Sequence, residues 1–245
     1  MLNHCLIEIN SMLRLVSVTS LVLLSSTLLA QPGASKSTLL SDSLDHWMTG
    51  AGEAVTRGWK VEEDNTLLCE GGGSGLLLSK RQYRDFSLTW EWKLSEKGNS
   101  GIKYRVRQYD NSWLGCEYQM LDDENYGTDL FSLNATASLY AIWEPSGNKV
   151  LHPGGEWNQS HIIVRGNRVR HYLNGELMVD GRIGSRDWKQ RVADSKFENR
   201  EGFGMNRDGL IMLTEHGNPT WFRNVVITEL GPLTTVRPIR EKLSN

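Results

Sequence analysis

Cysteine, cationic excess, helical periodicity and long apolar runs are all scarce in this 245-residue chain, and each shortage excludes something. Of 3 cysteines, Cys5 precedes the body of the chain, which leaves Cys69 and Cys116. Two isolated cysteines make no disulfide framework of the kind that staples small exported domains, so both are expected as buried thiols. Lys and Arg number 27 against 29 Asp and Glu, with pI about 6.3, so no basic footprint points to nucleic acid. Beyond the first thirty residues no stretch is apolar enough for a membrane span, and none is expected. Gly71-Gly72-Gly73-Ser74-Gly75 lacks the Gly-Lys-Ser/Thr ending and the following helix of a phosphate loop, and reads as a flexible turn.

What is present begins with a leader. Met12-Leu13-Arg14 introduces an apolar and hydroxyl run from Leu15 to Ala30, followed by Gln31-Pro32. Residues 1–30 therefore read as a secretory signal peptide, with Met12 as an alternative start, and imply a secreted or periplasmic protein. Residues 31–43 read as a linker, 44–230 as one domain and 231–245 as a tail with proline and charge.

Within the domain the strand signal dominates. Phe86 to Leu94 alternates strictly, Trp59 to Glu62 and Leu67 to Cys69 flank a turn at Asn65, and Gly98 to Gly101 reads as another turn. His161 to Arg165, Val169 to Leu173, Leu210 to Gly217 and Trp221 to Ile227 continue the series, Asn174-Gly175 marks a hairpin, and Ala137 to Trp143 reads as a strand. Asn125 to Asn134 and Pro145 to Gly155 read as loops. The single helix expected runs from a Ser185 cap through Arg186 to Ser195. Many short strands with one short helix predict an all-β fold, a β-sandwich of jelly-roll type.

The stretch with most chemistry is Glu117-Tyr118-Gln119-Met120-Leu121-Asp122-Asp123. On a strand Glu117 and Gln119 share one face, and Tyr118 and Met120 the other. Upstream, Ile102, Tyr104 and Val106 are expected on one face and Lys103, Arg105 and Arg107 on the opposite one. Three cations on a strand face read either as a solvated outer surface or as a face that meets an anionic or polar ligand; Glu117 on a strand soon afterwards favours the second, and beside Arg105 it would stay ionised.

The ordered set of motifs resembles one family. Asn99-Ser100-Gly101-Ile102-Lys103-Tyr104-Arg105-Val106, the Glu117 stretch, Trp157-Asn158, His171-Tyr172-Leu173-Asn174-Gly175, Ser195-Lys196-Phe197, Glu215-His216-Gly217 and Phe222-Arg223-Asn224 follow the pattern of the 3-keto-disaccharide hydrolase domain. The resemblance runs from about Leu44 to Leu230. It implies a concanavalin A-like jelly roll of two curved antiparallel sheets and substrates that are glycosides oxidised to a ketone at C3. Thr214-Glu215-His216-Gly217 stands where the family has Gln-Asp-His-Gly, and Cys116 where a small or aromatic residue is usual. Both departures bear on substrate preference.

A C3 ketone acidifies the proton on C2, so a base can remove it and the enolate can expel the C1 group, after which water adds. That chemistry needs a base, an enolate stabiliser and an acid for the departing oxygen. Glu117 is the candidate base, Lys103 or Arg105 the stabiliser, and His216 the acid or a metal ligand. Asn99, Gln119, Asp122, Trp157, His171 and Arg223 are candidate substrate-binding residues. The one candidate cofactor is a divalent metal ion, with Glu117, Asp122 and His216 as its candidate ligands. The expected partner is an oligosaccharide or glycoside. Two other readings stand beside this one. A non-catalytic sugar-binding module would use the 9 Trp residues as stacking platforms. A conventional two-carboxylate glucanase would pair Glu117 with Asp122, whose odd spacing sends it to the opposite strand face.

Overall fold

The computed structural model describes residues 35–231. Its strands are β1 (Ser35–Thr38), β2 (Trp47–Thr49), β3 (Trp59–Val61), β4 (Leu67–Cys69), β5 (Leu77–Tyr83), β6 (Phe86–Leu94), β7 (Asn99–Tyr109), β8 (Ser112–Leu121), β9 (Asn158–Arg165), β10 (Arg168–Leu173), β11 (Glu176–Arg182), β12 (Gly209–Glu215) and β13 (Thr220–Glu229). Two short helices, α1 (Asp123–Tyr126) and α2 (Arg186–Ala193), complete the set among the described residues.

The strands form two antiparallel sheets packed face to face in a jelly-roll-like sandwich. The larger runs β11-β10-β9-β6-β13-β4-β3, with β1 also against β13; the smaller runs β2-β5-β12-β7-β8. Strict alternation explains the packing. In β6, Phe86, Leu88, Trp90, Trp92 and Leu94 are buried while the residues between are half-buried. They meet Ile102, Tyr104, Tyr118 and Met120 from β7 and β8 in one core cluster. One chain of polar groups crosses this core: Trp92 Nε1 donates to Ser160 Oγ at 2.8 Å, and Ser160 Oγ donates to Tyr118 Oη at 2.7 Å.

Several expectations hold. Asn174 and Gly175 both take positive φ, 46° and 90°, in the tight turn joining β10 and β11. Ser185 Oγ accepts from Trp188 N at 3.1 Å and starts α2. Cys69 and Cys116 are free, buried thiols, and burial pushes the Cys116 thiol up to about 12.

Others are corrected. The linker expected over 31–43 is part of the sandwich from Ser35 onward. Ser35 to Thr38 pair with Glu229 to Val226, and Leu39 and Leu40 are buried, because two adjacent leucines are better placed in the core than in water. The turn expected at Gly98 to Gly101 lies three residues earlier, at Ser95 to Gly98, where Gly98 N–H donates to the Ser95 carbonyl at 2.9 Å, so that Asn99 already belongs to β7. The strand expected over Ala137 to Trp143 is a series of turns, since Ala137 and Ala141 take positive φ and only isolated bridges join Leu139 to Tyr118 and Trp143. The loop expected from Asn125 begins inside α1. The signal peptide and nearly all of the tail fall outside the described residues.

One irregularity decides which side chains face outward. The register between β7 and β8 shifts between Tyr104 and Arg107, and Arg105 takes φ 54°. This β-bulge inserts one residue, so the alternation that puts Lys103 outward reverses beyond it. Val106 then lies outside the main core with Leu78, Leu210 and Met212, and Arg105 turns inward.

Candidate active site

The outward face of the smaller sheet is built in rows fixed by strand register. Met212 on β12, Lys103 on β7 and Glu117 on β8 stand side by side. Beyond Glu117 the irregular segment closes the edge. Tyr140 N–H donates to the Glu117 carbonyl at 3.0 Å, next to the Tyr118–Leu139 bridge, which puts Tyr140 at the end of the same row. The next row is Thr214, Gly101 and Gln119. Gln119 Nε2 donates to Asn99 Oδ1 at 3.1 Å, and Thr214 Oγ1 to the Gly101 carbonyl at 3.2 Å.

Glu117 is the centre of this face. A Cβ on Gly101 would stand 2.7 Å from Glu117 Oε1, so the carboxylate lies in the space that the glycine leaves. Its other oxygen is 3.6 Å from Lys103 Nζ, with only 10% of the Glu117 side chain exposed. A carboxylate so placed is short of water and has one cationic partner, which suits a base whose charge is handed to a neighbouring proton.

The two flanks of Glu117 differ. On the Lys103 side, Met212 joins Leu78, Val106 and Leu210 in a buried apolar wall backed by Met48, Leu76 and Trp113. On the Tyr140 side the surface opens. Lys196 Nζ sits 4.1 Å from the Tyr140 ring centroid. Its neighbour Phe197 stacks on Phe203 at 3.9 Å, Phe203 on Trp188 at 6.0 Å, and Trp188 meets Trp143 at 5.3 Å, so an aromatic pile under α2 carries the lysine. Sequence reasoning missed Tyr140 and Lys196 as site residues. Lys196 stood in a recognised motif, but no strand or helix period tied it or Tyr140 to Glu117.

The structure separates other expected site residues from this face. Arg105 is 1% exposed, its Nη2 donates to the Gly166 carbonyl, and Asp85 stands at 4.0 Å; burial holds its guanidinium below the usual range. The bulge is the reason. His171 is wholly buried between Tyr104 Oη at 3.0 Å and the Ala137 carbonyl at 3.1 Å, because its even-numbered neighbours on β10 face outward and it pairs with Ile162 in the core. Asp122 is a loop clamp. Its carboxylate accepts from Lys97 N and Asn125 Nδ2 at 2.9 Å and from Gly154 N at 3.3 Å. This leaves it turned away from Glu117, as the glucanase reading could not accommodate.

Trp157 and Arg223 lie on the outward face of the other sheet, across the core. Arg223 Cζ is 4.0 Å from the Trp157 ring centroid, and its Nε donates to Glu91 at 2.7 Å. His216 is exposed just past the end of β12. Four residues separate it from Met212 in the Glu117 row, about 13 Å along the strand, out of hydrogen-bond reach. Glu117, Asp122 and His216 therefore do not converge as a ligand set, and no group of three or more metal-binding side chains occurs among the described residues. Of the expected set, Glu117, Lys103, Gln119 and Asn99 come together.

The model of the 3-keto-alpha-glucoside-1,2-lyase-like domain family matches residues 36–228. A 3-keto-disaccharide hydrolase from Bacteroides thetaiotaomicron is 28% identical over 220 residues, covering 75% of this chain and 74% of that protein. The crystal structure of a Parabacteroides distasonis protein described as a glycosyl hydrolase superposes with a TM-score of 0.72 at 30% identity, covering 80% of this chain and 94% of the other. A Bacillus licheniformis β-glucanase shares the fold alone, with a TM-score of 0.50 at 10% identity over 82% of this chain and 100% of that one.

Proposed function

Because this chain belongs to the 3-keto-alpha-glucoside-1,2-lyase-like family, we propose that it cleaves glycosides carrying a ketone at C3, by elimination across C1–C2 and then hydration. The observation that carries this reading is the Glu117 carboxylate, seated over Gly101 and 3.6 Å from Lys103 Nζ on a polar row of the smaller sheet. Glu117 takes the C2 proton. As it becomes neutral, Lys103 loses its ion-pair partner and turns to the oxygen of the enolate that forms at the same moment. A single cation thus serves the base before transfer and the enolate after it. Gln119 and Asn99, already bonded to each other, offer an amide edge to the sugar hydroxyls.

The leader read over residues 1–30 supports action outside the cytoplasm. In the test, purified mature protein is given a 3-keto-glucoside and its unoxidised parent. Release from the keto form alone is expected, and Glu117→Gln should slow it by roughly 10²–10⁴-fold, the range for loss of a general base. Release from the parent would mean conventional hydrolysis, and tight binding without release would mean a sugar-binding module.

A further inference from the structure

The elimination needs a proton for the departing oxygen as well as a base and an enolate stabiliser, and His216 and Arg105 are both out of reach of Glu117. C1 and C3 are the two ring neighbours of C2, so with the base at C2 they lie on opposite sides of it. Glu117 likewise has two unlike flanks. Toward Lys103 the face ends in the buried wall of Met212, Leu78, Val106 and Leu210. Toward Tyr140 it opens. Ala141 N–H donates to the Leu133 carbonyl at 2.9 Å, tying the row to a rim where Phe131 and Leu133 are 48% and 40% exposed. A ketone is part of the sugar and fits the closed flank, whereas the group on C1 varies in size and needs the open one.

On the open flank, Lys196 is the ammonium at hand. It is exposed, lies over the Tyr140 ring at 4.1 Å, and forms no ion pair with a carboxylate among the described residues. Its backbone is fixed by Phe197, which is stacked on Phe203. An ammonium held by aromatic faces keeps its N–H bonds free for an oxygen lone pair.

We propose that Lys196 is the catalytic acid for the leaving oxygen, and that the substrate lies with its C3 ketone toward Lys103 and its C1 group across Tyr140. This rests on the elimination reading above. In the first half-reaction Glu117 accepts the C2 proton. The enolate electrons then form the C1–C2 double bond and restore the C3 carbonyl, the C1–O bond breaks, and Lys196 gives a proton to the departing oxygen. In the second, water adds its hydroxyl to C1 and its remaining proton to neutral Lys196, while Glu117 returns its proton to C2. The sum is hydrolysis, with both residues restored.

The test is leaving-group dependence. Wild type, Lys196→Met, Lys196→Arg and Tyr140→Phe are compared on 3-keto-glucosides of an alkyl alcohol, which must be protonated to leave, and of 4-nitrophenol, which need not be. In single-turnover release of the alcohol or the phenol, a step that precedes hydration, Lys196→Met should lose about 100-fold or more in rate on the alkyl substrate and only about threefold on the nitrophenyl one, within the range for general acids. Tyr140→Phe should leave the ratio between the two substrates near that of wild type, and Lys196→Arg should recover part of the alkyl rate. An equal loss on both substrates, no loss on either, or a skewed ratio in Tyr140→Phe in place of Lys196→Met would overturn the assignment. If wild type releases nothing from either substrate, the elimination reading falls, and this inference with it; an active wild type with an indifferent Lys196→Met sinks the inference alone.

Discussion

Gly101 acts through the atom it lacks. Its backbone is ordinary strand, so alanine would meet no conformational strain there, but the new methyl would stand 2.7 Å from Glu117 Oε1 and 3.0 Å from the Tyr118 carbonyl. The carboxylate must swing away while the sheet stays intact. Gly101→Ala should therefore lower kcat toward a 3-keto-glucoside on the order of 10²-fold, the effect of displacing a reacting group by about 1 Å. Thermal unfolding of the variant, followed in parallel, should change little. A large loss of stability without a selective loss of turnover would show that Gly101 serves the sheet and not the base.

At the scale of elements, two irregular stretches shape the face. The bulge in β7 takes Arg105 out of the site and gives the apolar wall Val106. The turn-rich segment after α1 supplies Tyr140, and it is held from below by an ion pair. Lys149 Nζ lies 2.6 Å from Asp123 Oδ2 with neither side chain exposed, and also donates to the Leu130 carbonyl at 2.7 Å. Asp123 Oδ1 accepts from Thr136 N at 2.9 Å. Burial pushes the Asp123 carboxyl up and the Lys149 ammonium down, and their mutual attraction opposes both shifts. Removing one partner leaves a buried charge with no counterpart. Lys149→Ala should cost roughly 3–5 kcal/mol in urea unfolding, whereas an apolar pair of similar volume at both positions should be close to neutral.

At the scale of the whole molecule, the core between the sheets carries a titratable group that stays neutral. Burial lowers the His171 pKa from 6.5 to about 4 in the folded protein. As pH falls below 6.5 the unfolded chain binds a proton at this residue and the folded one does not. Stability is then lost down to about pH 4, by up to about 3 kcal/mol for a shift of this size. His161, whose pKa burial also lowers, adds in the same direction. Denaturant midpoints measured between pH 7 and pH 4 should fall, and His171→Gln should flatten the slope without removing it. An unchanged slope in that variant would assign the acid sensitivity to other groups.

The sequence by itself determined the alternation of β6, the hairpin at Asn174-Gly175, the cap at Ser185 and the outward placement of Lys103, Glu117 and Gln119. These depend on neighbours along the chain, where a period of two or a residue that tolerates positive φ is visible. It also carried the family motifs, although those did not say which face each would occupy. Only the tertiary structure decided that Arg105 turns inward, since a bulge is a mismatch between two strands and leaves no mark on one of them alone. The same holds for Arg223, whose strand joins the opposite sheet, for Trp157, which leads into β9 of that sheet, and for His171, whose parity is set by its pairing with Ile162. Tyr140 joins the Glu117 row through a turn and Lys196 meets the Tyr140 ring from an aromatic stack, contacts made between segments distant in the chain and therefore invisible to any local period.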